Sequence, residues 1–261
     1  GTPLVKLIEQ AGSIPGIKVD KGTKPLPLSK GDTITEGLDG LGERLAEYYE
    51  MGARFAKWRA VYDPTEGRPS YNAINANAQA LARYAALCQV NQIVPIVEPE
   101  VLMDGNNDID ACEAVTEWVL KDVFQQLYYA NVALEGMVLK PNMVIAGKKA
   151  AKQASVEEVA ERTVKILKRC VPPAVPGIAF LSGGQSDEEA TAHLNAMNAA
   201  HPHLPWGLTF SYGRALQAAP QKAWSGKTEN VPAGQKAFAH RAKMNGLAAT
   251  GQWKKDLEKA A

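Results

Sequence analysis

Cysteine is scarce and poorly spaced for bonding: Cys88, Cys112 and Cys170 make an odd number with no C-x-x-C pair. Neither a disulfide framework nor a zinc knuckle is supported, and no metal or other cofactor is expected. Long apolar runs are missing as well. No stretch approaches the ~18 continuous apolar residues of a membrane span, and the N-terminus lacks the basic-then-apolar pattern of a secretory signal. The expectation is a soluble cytoplasmic protein that does not engage membranes. An excess of one charge is also absent, with Lys+Arg 29 against Asp+Glu 28, too even a balance to hold nucleic acid by bulk electrostatics. Any anion must therefore be gripped locally. What the 261 residues do contain is 46% hydrophobic side chains, enough for a large core.

Short apolar runs recur at Gly16–Asp20, Ala53–Val61, Ile93–Glu98, Leu134–Lys140, Gly177–Ser182 and Trp206–Ser211, and each reads as a strand. Helical patterns lie between them. Leu38 to Met51 puts Leu38, Leu41 and Leu45 on one face before Gly52, and Ser155 with Glu158 makes a capping box for the helix that follows. Pro3 to Gln10 reads as a further helix. Alternating strands and helices imply an α/β fold around a parallel sheet.

The charged and hydroxyl side chains fall near the carboxyl ends of successive strands: Lys18, Lys57, Glu98, Lys140, Ser182, and Ser211 with Arg214. That distribution favours a (β/α)8 TIM barrel over a doubly wound sheet, whose glycine-rich first turn is lacking. Ile17 to Leu208 spans 191 residues over five strand-to-strand intervals, about 38 each, so eight units would need roughly 300. About six of the eight βα units are expected here. The chain reads as one barrel domain over residues 1–261, N-terminally incomplete, with a looser C-terminal helical extension over about 226–261.

Strand alternation puts Lys57 and Arg59 on one face with Trp58 opposite, Lys18 with Asp20, and Glu98 with Glu100 across Pro99. A single buried lysine on a strand is usually half of an ion pair. Three at three strand ends, with two carboxylates, suggest amine catalysis. A lysine attacks a carbonyl only as the free amine, which desolvation and neighbouring cations favour, and the resulting iminium is an electron sink that lets an adjacent C–C bond break. Lys140 fits best, since mostly apolar residues precede it and Pro141 follows. Lys57 and Lys18 would be its cationic neighbours, Glu98 the proton shuttle and Glu100 its companion. Farther on, Ser182-Gly183-Gly184 precedes a helix with the capping box Ser186/Glu189, an arrangement suited to anions. Ser211-Tyr212-Gly213-Arg214 on the next strand can supply a glycine N–H and a guanidinium to the same phosphate. Arg59 and Lys57 would form a second grip.

The runs GIKVDKG (16–22), FAKWR (55–59), IVPIVEPE (93–100), LEGMVLKPNMV (134–144), PPAVPGIAFLSGGQS (172–186) and LTFSYGRALQ (208–217) resemble the class I, Schiff-base fructose-1,6-bisphosphate aldolases over nearly the whole chain. The resemblance implies a glycolytic lyase, usually a homotetramer on a (β/α)8 barrel. It would cleave fructose 1,6-bisphosphate reversibly to dihydroxyacetone phosphate and glyceraldehyde 3-phosphate without metal. It puts the Schiff-base lysine at Lys140, the second lysine and adjoining arginine at Lys57 and Arg59, and a third lysine at Lys18. The paired glutamates fall on Glu98 and Glu100, with Glu98 the principal proton-transfer acid. Ser182, Gly183, Ser211, Gly213 and Arg214 become the phosphate-binding residues. Two departures stand out: the family's first two strands, one with an aspartate used in cleavage, have no counterpart, and the animal enzymes' C-terminal tyrosine is absent. The alternatives are an inactive or scaffolding form of the enzyme, or another Schiff-base lyase or transaldolase of sugar phosphates. His193, His201, His203 and His240 are expected in loops or on the surface, and the cysteines in helix–sheet packing.

Overall fold

The computed structural model describes residues 1–259. In chain order its elements are α1 (Leu4–Gln10), β1 (Gly16–Lys18), β2 (Thr23–Pro25), β3 (Thr33–Thr35), α2 (Leu41–Glu50), β4 (Phe55–Tyr62), α3 (Tyr71–Val90), β5 (Val94–Val101), α4 (Ile109–Tyr129), β6 (Val138–Leu139), α5 (Val156–Cys170), β7 (Gly177–Phe180), α6 (Asp187–Ala200), β8 (Gly207–Phe210), α7 (Arg214–Trp224) and α8 (Val231–Ala248). Six strands pair in the order β1-β4-β5-β6-β7-β8, every pair parallel, while β2 and β3 form a separate hairpin. Apart from that hairpin, which interrupts the first crossover, strand and helix alternate around an arc of βα units. The six units expected from the spacing are the six that form it.

The arc's geometry follows from the two-residue period of a strand. Along β4, Ala56, Trp58, Ala60 and Tyr62 are fully buried and face outward toward the helices, whereas Phe55, Lys57, Arg59 and Val61 alternate with them and are only partly covered. Trp58 stacks on Tyr84 of α3 with ring centroids 5.6 Å apart, and the Tyr84 hydroxyl donates to the Ile96 carbonyl at 3.2 Å. A helix side chain thereby ties two strands together. Burying such a large aromatic pair contributes several kcal/mol through area alone. Cys88, Cys112 and Cys170 are all free and buried on the helices, as expected of packing residues.

Four expected strands, β1, β6, β7 and β8, are shorter than the sequence suggested, and β1 and β6 show why. Only Val138–Leu139 of the 134–140 run is in the sheet, because Leu134–Gly136 winds into a single 3-10 turn. The Gln89 amide caps that turn, donating to the Ala133 carbonyl at 2.7 Å and accepting from the Ala133 N–H at 3.0 Å. Likewise β1 ends at Lys18, and Asp20 then turns the chain by accepting the Gly22 N–H. Both changes leave the functional side chains at strand ends. The capping boxes differ in completeness: Ser186 and Glu189 satisfy both donors, while for Ser155 the bond present is the one from the Glu158 N–H. In the C-terminal part, α8 contributes buried Arg241, Met244, Asn245 and Ala248 and packs on α6 and α7. No helix of the described residues is long and apolar enough to cross a membrane.

Candidate active site

The parallel register sets the first half of the site. Lys18 lies beside Lys57, and Arg59 beside Glu98, so adjacent strands present alternating rows of charge at one height of the wall. Opposite charges then pair in a continuous chain. Lys18 Nζ is 2.7 Å from Asp20 Oδ1, Lys57 Nζ is 3.9 Å from Asp20 Oδ2 and 2.9 Å from Glu98 Oε2, and Glu98 Oε1 is 3.1 Å from Lys140 Nζ. Arg59 pairs with Glu100 on the neighbouring strand. Glu98 retains only 4% of its side-chain exposure and Lys140 only 12%. Carboxylates this deeply buried persist as ions only when paired, so the clustering of cations is what makes the buried glutamates tolerable. Burial acts to lower the Arg59 pKa, yet the hydrogen bond and charge of Glu100, aided by Glu98 and Asp20, outweigh it and raise that pKa.

Lys140 is held by its backbone as well as by Glu98. Its N–H donates to the Val97 carbonyl at 2.8 Å, which continues the β5–β6 ladder one residue past the strand. Two residues later the buried Asn142 accepts the Val101 N–H at 3.0 Å and donates to Thr116 Oγ1 and the Met143 carbonyl. A satisfied polar network of this kind fixes a unique arrangement. Asn142 thus clamps the segment after Lys140 between β5 and α4.

The second half of the site is built from backbone. Ser182 and Gly183 leave the end of β7, and Gly184 adopts a φ of +79°, open to glycine at little cost. A Cβ on Gly184 would lie 2.2 Å from Met103 Cγ, and one on Gly183 would lie 3.4 Å from Glu100 Oε1. Glycine therefore lets the loop run close against β5 and the paired carboxylates. The Ser211 N–H donates to the Phe180 carbonyl at 3.0 Å, so the loop carrying Ser211, Gly213 and Arg214 leaves the next strand end. Arg214 opens α7 with Gly213 as its N-cap and is exposed. Among the described residues it has no ion-pair partner.

All eleven residues singled out from the sequence thus lie on six adjacent strands or in the segments that leave their carboxyl ends. The sequence placed Asp20 on the face of Lys18 but gave it no role of its own. It is buried and joins Lys18 to Lys57, and it also accepts the Arg59 N–H at 3.3 Å. Its signal was the alternation in GIKVDKG; its partner Lys57 is 37 residues away in the chain. Among the described residues no group of three or more His, Cys, Asp or Glu is arranged to hold a metal ion. The histidine expectation needs two corrections, the first being that His240 lies within α8 with its side chain only 17% exposed and against Glu258. His193 is only 7% exposed, on the inner face of α6, because the helix turns it toward Gln185.

Charged strand ends inside a parallel arc, beside a glycine-built loop, define a (β/α)8-barrel enzyme. The family model for fructose-bisphosphate aldolase class I matches residues 1–261. A probable class 1 fructose-bisphosphate aldolase of Xanthomonas campestris pv. campestris is 58% identical over 97% of this chain and 76% of its own length. The cytosolic fructose-bisphosphate aldolase 6 of Arabidopsis thaliana is 56% identical over 99% of this chain and 72% of its own. Among solved structures, the fructose-bisphosphate aldolase of Plasmodium falciparum, crystallised with TRAP and a small-molecule inhibitor, superposes with a TM-score of 0.95 at 51% identity. That match covers 97% of this chain and 74% of the other. The chain belongs to the class I fructose-bisphosphate aldolases, carbon–carbon lyases of glycolysis.

Proposed function

We propose that Lys140 is the amine that forms the Schiff base with the keto group of fructose 1,6-bisphosphate, and that Glu98 shuttles its protons. The observation that carries this reading is the contact of 3.1 Å between Lys140 Nζ and Glu98 Oε1, the glutamate buried on β5 and the lysine largely covered just past β6. Glu98 takes the ammonium proton as the carbonyl arrives, and the free amine adds to C2. Loss of water gives the iminium. Deprotonation of the C4 hydroxyl then breaks the C3–C4 bond, and its electron pair moves onto the iminium to form an enamine. Glyceraldehyde 3-phosphate departs, C3 is protonated, and hydrolysis frees dihydroxyacetone phosphate and regenerates Lys140. Lys57 shares Glu98 and keeps its charge local, while Lys18 and Asp20 hold Lys57 in place. Glu100 sets the position of Arg59.

One phosphate is bound by Ser182, Gly183, Ser211, Gly213 and Arg214, and the other by Arg59 with Lys57. The exposed Arg214, unpaired among the described residues, supports the first grip: a guanidinium without a carboxylate partner is available for a bidentate phosphate contact. The unit is one barrel domain with its C-terminal helical segment. It assembles as a homotetramer in the cytoplasm, consistent with relatives named cytosolic. Borohydride reduction in the presence of dihydroxyacetone phosphate, followed by intact mass, tests the chemistry. A covalent adduct that disappears in Lys140→Ala is the expected result, and an adduct that survives in that variant overturns the assignment.

A further inference from the structure

The loop that follows β7 is anchored by a side chain outside it. Gly183 and Gly184 present backbone but have nothing of their own to hold them. Within the loop the Gln185 N–H donates to the Ser182 carbonyl at 3.3 Å, and the capping box secures only the far end. Gln185 is the first residue after the glycines with a side chain that can be tied down. Its Oε1 lies 2.5 Å from Nδ1 of His193, two turns along α6. A carbonyl oxygen only accepts, so Nδ1 carries the proton and donates. Burial pushes the His193 pKa down to about 4 against the opposing pull of Glu189 and Glu157, which keeps the ring neutral in this role. Gln185 Nε2 is buried without a hydrogen-bond partner, leaving His193 as that side chain's tether among the described residues. A cavity of about 150 Å³ adjoins, lined in part by Ile145, Gln153, Gly184, Gln185 and His193, and gives an untethered Gln185 room to move.

We propose that His193 is a positioning residue for the phosphate end of the substrate: through Gln185 it holds the Gly183–Gly184 amides in the geometry that grips the anion. The inference rests on the reading of this loop as a phosphate grip. The test measures KM and kcat for fructose 1,6-bisphosphate, and competitive inhibition by inorganic phosphate, in His193→Leu, His193→Asn and Ser182→Ala. Asn places its amide nitrogen where Nδ1 stands, so it can donate in the same place; Leu cannot. His193→Leu is expected to raise both KM and the phosphate inhibition constant about tenfold with kcat nearly unchanged, a loss on the scale of one hydrogen bond, and His193→Asn to restore both. Unchanged KM in the Leu variant, or equal impairment in both His193 variants, overturns the proposal. Ser182→Ala with normal phosphate inhibition overturns the phosphate reading of the loop and this inference with it, whereas impaired Ser182→Ala beside a normal His193→Leu removes His193 alone. Should His193→Leu fail to fold, Gln185→Met cuts the same bond from the loop side. It is expected to show the same rise in KM, and a normal KM then overturns the proposal.

Discussion

The two halves of the candidate site solve the problem of holding charge in opposite ways. At the ends of β1, β4, β5 and β6, every cation is matched to a carboxylate, from Lys18 and Asp20 through Lys57 and Glu98 to Lys140, with Arg59 on Glu100. At the ends of β7 and β8 the donors are backbone N–H groups, hydroxyls and one exposed guanidinium, with no carboxylate paired to Arg214 among the described residues. A proton-transfer centre needs its ions held in place before the substrate arrives, because a misplaced proton costs rate. An anion grip needs the reverse: donors left unsatisfied until the ligand supplies the charge. On the roles proposed above, local pairing separates the residues that would handle protons from those that would hold phosphate.

That contrast can be broken by substitution, and the largest effect is expected in the paired half. Lys140→Ala removes the amine and should lower kcat roughly 10⁴-fold or more, measured by coupled assay of glyceraldehyde 3-phosphate release, with inhibition by inorganic phosphate preserved. Glu98→Gln keeps the shape but not the base, and a loss of roughly 10²- to 10⁴-fold in kcat is expected, with slower trapping by borohydride. In the unpaired half the signature should change from kcat to KM. Arg214→Ala is expected to raise KM by about tenfold or more, since a hydrogen bond to a charged group is worth about 1.5–3 kcal/mol, and to leave borohydride trapping of an unphosphorylated ketose unaffected. If Arg214→Ala instead lowers kcat alone, the division fails.

The last effect concerns stability rather than rate. His193 has a folded-state pKa of about 4, below the ordinary 6.5. As the pH falls through 6.5 the unfolded chain takes up this proton first, so stability present above pH 6.5 is lost progressively down to about pH 4. The loss is on the order of 3 kcal/mol. Denaturant titrations should show a shallower acid slope in His193→Asn than in the parent protein.

The arc of βα units and the side chains at its rim were legible because both depend on local rules. A buried parallel strand reads as an apolar run, and the intrusion of Lys57 and Arg59 into FAKWRAVY or of Glu98 and Glu100 into VPIVEPEV marks the face turned away from the helices. The short β6 was not legible, because the 3-10 turn before it depends on Gln89, a residue of α3 far upstream. Asp20 was visible only as a neighbour of Lys18, since its contact with Lys57 requires β1 to lie against β4 in one register.

Composition and period sufficed for the fold class, because hydrophobic periodicity and strand-end charge are properties of short stretches of chain, and the resemblance of six motif runs pointed to the family. Which carboxylate neutralises which lysine, and that Arg214 has no carboxylate partner among the described residues, depended on strands separated by tens of residues coming into register at a common height. The burial of His193 was decided in the same way. Its sequence neighbours resemble those of a surface histidine, and only the packing of α6 beside the glycine loop turns the ring inward to meet Gln185.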